Sequence, residues 1–98
     1  MTDEVDAGFV SNFYDEVSGA GLVTSTHVLV RRIVVLEAPS AATTLTDGDG
    51  GTTVLIIPAS TAVGTVYDLG DVRLVGGLYW NDNSHTTGQI NAIAKPYL

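Results

Sequence analysis

Carboxylates alternating with glycines in a loop can hold a calcium ion, and Asp47-Gly48-Asp49-Gly50 is such a stretch. Counted from Asp47, an EF-hand needs oxygen ligands at the fifth and twelfth positions, where this chain has Gly51 and Pro58. The template fails and the stretch reads as a turn. Asn81-Asp82-Asn83-Ser84-His85 fails the same test and reads as a solvated loop. The two histidines, His27 and His85, lie far apart without a second histidine or carboxylate at zinc spacing. No Gly-x-Ser-x-Gly elbow positions a nucleophile. Paired carboxylates for glycoside chemistry would need an enclosed cleft, which a domain this small seldom forms. The expectation is therefore a non-enzyme with no metal and no cofactor.

Tyr79-Trp80 followed by a polar loop carries the residue types of a sugar-binding face, where aromatic rings stack on a pyranose. Tyr79, Trp80, Asn81 and His85 form the candidate ligand-facing loop on that reading. A lone tryptophan in a small domain is also the usual anchor of its core. The sequence leaves both roles open.

Ninety-eight residues support one hydrophobic core. The apolar content is mostly Val, Leu, Ile and Ala, set among many Thr and Gly with little Lys or Glu, and it favours strands. The formal net charge is −7, and Asp3, Glu4, Asp6, Asp15 and Glu16 all fall in the first sixteen residues. The remaining six acids face Arg31, Arg32, Arg73 and Lys95, so the body is close to neutral. So few cations give no counterion-release drive toward nucleic acid, and the acidity argues against an anionic membrane surface. With no cysteine, stability must come from packing or assembly. The acidic opening MTDEVD is no signal peptide, and no apolar run reaches membrane-span length, so synthesis in the cytoplasm without export is expected.

These side chains must be positioned by the elements around them. Thr43 to Pro58, TTLTDGDGGTTVLIIP, reads as a hairpin, with Asp-Gly steps between two β-prone runs. Asp47 and Asp49 are placed to cap its turn through backbone bonds. Its second arm, Val54-Leu55-Ile56-Ile57, is apolar on both faces and predicts a strand covered on both sides, at a sandwich centre or in an intersubunit contact. Thr26 to Ala38 is a long strand interrupted by Arg31-Arg32. One arginine must then share a face with Val28, Val30, Val34 and Leu36 unless a bulge intervenes or another subunit covers that face. Gly64–Leu69, Val72–Val75, Leu78–Trp80 and Gln89–Ala94 complete about seven short strands. Ahead of them Phe9, Phe13 and Val17 recur at four-residue spacing. They predict a short amphipathic helix from Asp6 to Val17, ended by Gly19-Ala20-Gly21, that docks on this chain's sheet or on a neighbour. The organisation is thus an N-terminal acidic, aromatic arm or helix over residues 1–21 and a β domain over 22–98.

From Val28 to Tyr79 the order of features resembles small tailed-bacteriophage virion proteins of the capsid decoration (cement) type. The features are a strand through Arg32-Ile33-Val34-Val35, the hairpin TLTDGDGGTTVLIIPA, the segment GTVYDLGDVRLVGGLYW and a final strand. The resemblance implies an all-β antiparallel sandwich, jelly-roll-like, assembling as a trimer on the major capsid protein at the capsid surface. The acidic N-terminal segment departs from that pattern. Independently, a both-faces-apolar strand and an arm that needs a docking surface are features of symmetric assemblies. Phe9, Phe13, Tyr14, Arg31, Arg32, Val54 and Ile56 are the expected capsid or subunit interface. The competing class is a receptor- or carbohydrate-binding module on a head or tail fibre, built on the Tyr79–His85 loop.

Overall fold

A computed structural model describes residues 8–15, 19–81 and 87–97. Their regular structure is entirely β. The strands are β1 (Val10–Asp15), β2 (Gly21–Leu22), β3 (Val28–Glu37), β4 (Thr43–Asp47), β5 (Thr53–Ile57), β6 (Val66–Leu74), β7 (Leu78–Trp80) and β8 (Gln89–Pro96). They form two four-stranded antiparallel sheets, ordered β1-β8-β3-β6 and β2-β7-β4-β5. The pairs β1–β8, β2–β7, β3–β6 and β4–β5 are nested around the tip of the central hairpin.

One cluster of buried side chains joins the sheets. The larger first sheet contributes Val28, Val30, Ile33, Val35, Leu74, Ile90, Ala92 and Ala94; the second contributes Leu45, Ile57, Leu78 and Trp80. The smallest extent of the molecule, 19 Å, fits two layers whose backbones lie about 10 Å apart. Trp80 fills the middle at 1% exposure, and the Tyr14 ring stacks on it with centroids 5.4 Å apart and planes 27° from parallel.

Four expectations change. The expected N-terminal helix is a strand where the chain is described, since Val10–Asp15 pairs along β8 from Val10↔Ala94 to Asp15↔Gln89. Asp6 and Val17, the predicted ends of that helix, lie outside the described residues. The strand count is eight rather than about seven. β1 and β2 are added, and the predicted Gly64–Leu69 and Val72–Val75 strands merge into β6 across Gly70-Asp71, which has φ +63° and +60° and forms an irregularity in the ladder instead of a turn.

The hairpin arm β5 is an edge strand and not the sandwich centre, one of the two positions the sequence allowed. Ile57 is buried, while Ile56 points outward at 55% exposure. Finally, Asp47 caps a different turn from the predicted one. Its Oδ1 accepts a hydrogen bond from the Gly76 amide at 2.8 Å, while Gly48 N–H donates to Gly77 O at 2.8 Å, so the hairpin tip is tied to the β6–β7 connection. A Cβ on Gly76 would lie 2.9 Å from Gly48 Cα, so the close approach of the two loops requires glycine there.

The Arg31-Arg32 conflict is resolved by a bulge, one of the two solutions the sequence allowed. Against β8 the register passes from Val30↔Ala94 to Arg32↔Ile93, leaving Arg31 as the extra residue. Val28 and Val30 point into the core before the bulge, and Ile33 and Val35 do so after it, so both arginines face outward. The four aliphatic residues expected on one face are divided accordingly, with Val34 and Leu36 on the outside.

Candidate functional site: the outer face of the larger sheet

Strand pairing lays the outward residues of the first sheet in three rows. The first runs Phe13, Asn91, Val34, Val66 across β1, β8, β3 and β6. The second runs Ser11, Ile93, Arg32, Asp68. In the third, Lys95, Leu29 and Arg73 lie abreast on β8, β3 and β6. The face therefore grades from apolar to cationic over four residues of strand, about 13 Å at the usual rise. Phe13 is 63% exposed and Val66 54%.

All four cations of the chain stand on this face. Arg31 donates from Nε to Asp71 Oδ1 at 3.0 Å and from Nη2 to Oδ2 at 3.2 Å, the bidentate geometry that suits a guanidinium. That hydrogen bond is the largest influence; opposed by burial and helped by the lesser individual effects of the Arg31, Lys95 and Arg32 charges, it holds the Asp71 carboxyl below the usual carboxylate range. The Phe9 ring lies beneath two cations, with Arg31 Cζ 3.9 Å and Lys95 Nζ 5.0 Å from its centroid. Arg73 Cζ stands 4.6 Å from the Tyr97 centroid. Among the described residues Arg32 and Lys95 enter no ion pair, although Asp68 lies opposite Arg32 in the ladder.

Of the expected interface residues, Phe9, Phe13, Arg31 and Arg32 are brought together here. Tyr14 is not; it faces the core, and its hydroxyl donates to the Gly19 carbonyl. Burial, with a smaller contribution from nearby Tyr79, raises its phenol above the ordinary value. Val54 is the extra residue opposite the Leu45/Thr46 step and packs on the core, while Ile56 lies on the outer side of the other sheet. Arg73, Lys95, Val34, Val66 and Ile93 belong to the face although they were not singled out from the sequence. The alternation of β8, with Ile90, Ala92 and Ala94 inward, was the available signal for Ile93 and Lys95.

The candidate ligand loop is not assembled as one open face. Trp80 is in the core, Tyr79 is half-buried on the outer side of the second sheet, and Asn81 is exposed. His85 lies outside the described residues. His27 sits at φ +57° just before β3 with its ring edge-on to Tyr97, centroids 5.9 Å apart. Among the described residues no group of three or more His, Asp or Glu side chains could hold a metal ion. Comparison with family models, curated proteins and solved structures finds no match to this chain.

Proposed function

We propose that this chain is a structural virion protein, a capsid decoration or cement protein that stabilises a phage head as a trimer bound to the major capsid protein at the capsid surface. On this reading the two sheets are a jelly-roll β-sandwich. The order β1-β8-β3-β6 facing β2-β7-β4-β5 supports it, being the order obtained when one long antiparallel ribbon with pairs 1–8, 2–7, 3–6 and 4–5 is rolled into two layers. Viral capsid domains and lectins both use that architecture, so the fold alone does not choose between an assembly protein and a sugar-binding module.

The observation that carries the assembly reading is the outward row of Phe13, Val34 and Val66, with Ile93 beside it. Apolar side chains on three of the four strands of one sheet face, broken at β8 by Asn91, are expected at an interface, because leaving them in water forgoes about 25 cal/mol for every Å² that a partner could cover. The burial of Trp80 weighs against the sugar-binding alternative, which relied on its indole as a stacking platform.

Particles purified with and without the gene for this chain test the reading. The chain is expected in purified heads at a fixed ratio to the major capsid protein, and heads that lack it are expected to rupture at lower temperature. Its absence from the particles would overturn the proposal.

A further inference from the structure

Two Asp-Gly steps stand side by side at the hairpin tip, Asp47-Gly48 and Asp49-Gly50, and their surroundings differ. An Asp-Gly step is where a backbone can rearrange by itself, because glycine has no Cβ to shield its amide nitrogen from the preceding carboxyl. At the first step both reacting groups are held. Asp47 Oδ1 accepts the Gly76 amide at 2.8 Å, and Gly48 N–H donates to Gly77 O at 2.8 Å. Both residues are half-buried, and a Cβ on Gly48 would lie 3.3 Å from Gly76 Cα. At the second step neither group is held. Asp49 and Gly50 are exposed, and among the described residues neither the Asp49 carboxylate nor the Gly50 amide enters a hydrogen bond. A Cβ built on Gly50 would meet nothing within 4 Å.

We propose that Asp49-Gly50 is a site of spontaneous backbone isomerisation, which converts Asp49 to isoaspartate in the folded protein while Asp47-Gly48 is protected. In the first step Gly50 N attacks Asp49 Cγ. The N–Cγ bond forms, the amide proton and the hydroxyl of the protonated carboxyl leave as water, and a five-membered succinimide closes. Water then opens the ring. Attack at Cγ restores aspartate, whereas attack at the backbone carbonyl carbon of Asp49 leaves the chain running through Cγ. The mass is unchanged, and no oxidant or cofactor takes part. The product has one more backbone carbon between Gly48 and Gly51, so the 3.1 Å bond from Gly51 N–H to Gly48 O that closes the turn is lost. The ties of Asp47 and Gly48 to the β6–β7 connection lie ahead of the lengthened segment and persist. The freed α-carboxylate is the group that isoaspartyl methyltransferases esterify, which makes the converted chain a substrate for that class of enzyme. This proposal stands independently of the virion reading.

The full-length chain incubated in mild acid, below its unfolding temperature, tests the proposal beside a sample held unfolded in guanidinium chloride. Fragmentation of the hairpin peptide by electron transfer tells isoaspartate from aspartate at each position. In the native sample position 49 is expected to convert well ahead of position 47. In the unfolded sample the difference should vanish, because the bonds that hold Asp47 and Gly48 are gone. Methyl transfer from S-adenosylmethionine by an isoaspartyl methyltransferase should rise with conversion in the native chain. It should be lost in Asp49→Glu, whose longer side chain would have to close a six-membered ring. A native chain that stays unmodified at position 49 overturns the proposal. Conversion at position 47 that equals or exceeds that at 49 in the native chain overturns it too, because the folded structure would then not discriminate between the two steps.

Discussion

At the scale of single residues, the fold depends on a few side chains that connect distant parts of the sequence. Asp47 is the clearest. It begins the loop that looked fit for a cation, yet its carboxylate accepts the Gly76 amide twenty-nine positions away and fastens the hairpin tip to the β6–β7 connection. Thr24 does similar work from the other side, its hydroxyl accepting from the Leu78 amide at 3.0 Å in a buried setting. Asp47→Ala leaves the Gly76 N–H without its acceptor in a half-buried turn, and about 1–3 kcal/mol of stability should be lost. Urea denaturation checks this, with a lower midpoint and an unchanged slope as the expected outcome. Trp80 and Tyr14 form the other residue-level connection, a ring stack that holds the edge strand β1 on the core.

Strand by strand, the bulge at Arg31 decides which side chains face water. With the extra residue present, Val28 and Val30 are inward before it and Ile33 and Val35 inward after it. Removing Arg31 would make the alternation continuous and force one of those pairs outward. Deletion of Arg31 is therefore predicted to abolish cooperative thermal unfolding, while Arg31→Ala, which keeps the residue count, should retain a cooperative transition. Circular dichroism melts of the two variants compare them directly.

Much at this scale was legible in the sequence. The Thr43–Pro58 hairpin, the long strand through Val28–Glu37 and the short Leu78–Trp80 strand stand where β-prone runs and Asp-Gly punctuation put them. β1 was not legible, because the four-residue spacing of Phe9, Phe13 and Val17 imitates a helix. Asn12 adds to the disguise; this polar residue sits mid-strand in a partly buried position, its amide donating to Ala92 O at 3.1 Å and its backbone N–H to Asn91 Oδ1 at 3.0 Å. β6 was hidden for a related reason. Gly70-Asp71 has turn chemistry and positive φ, and only the β3 ladder on both sides shows that the strand resumes. The apolar second arm of the hairpin suggested coverage on both sides, but local composition does not tell a central strand from an edge, and β5 is an edge. The grouping of all four cations depends on strand neighbours far apart in sequence, so no local pattern revealed it.

For the whole molecule, the outer surface of the larger sheet is the distinctive property. Charge and hydrophobicity are segregated along its strands, with Phe13, Val34 and Val66 toward one end and Lys95, Arg31, Arg32 and Arg73 toward the other. The inner faces are occupied by a common core, so self-association must use outer faces or sheet edges. On the proposed reading this domain works as part of a symmetric assembly, joined through Phe13, Val34 and Val66 on that face. Sedimentation equilibrium of the full chain from micromolar to millimolar concentration tests it most directly, with Phe13→Ser beside it. Phe13 is 63% exposed, so its loss should change folding stability by no more than about 0.5 kcal/mol. A species of about three times the 10.2 kDa chain mass is expected, reduced to the single-chain mass by Phe13→Ser with the fold intact. A mass of 10.2 kDa at every concentration, or an assembly that Phe13→Ser leaves unchanged, would contradict it.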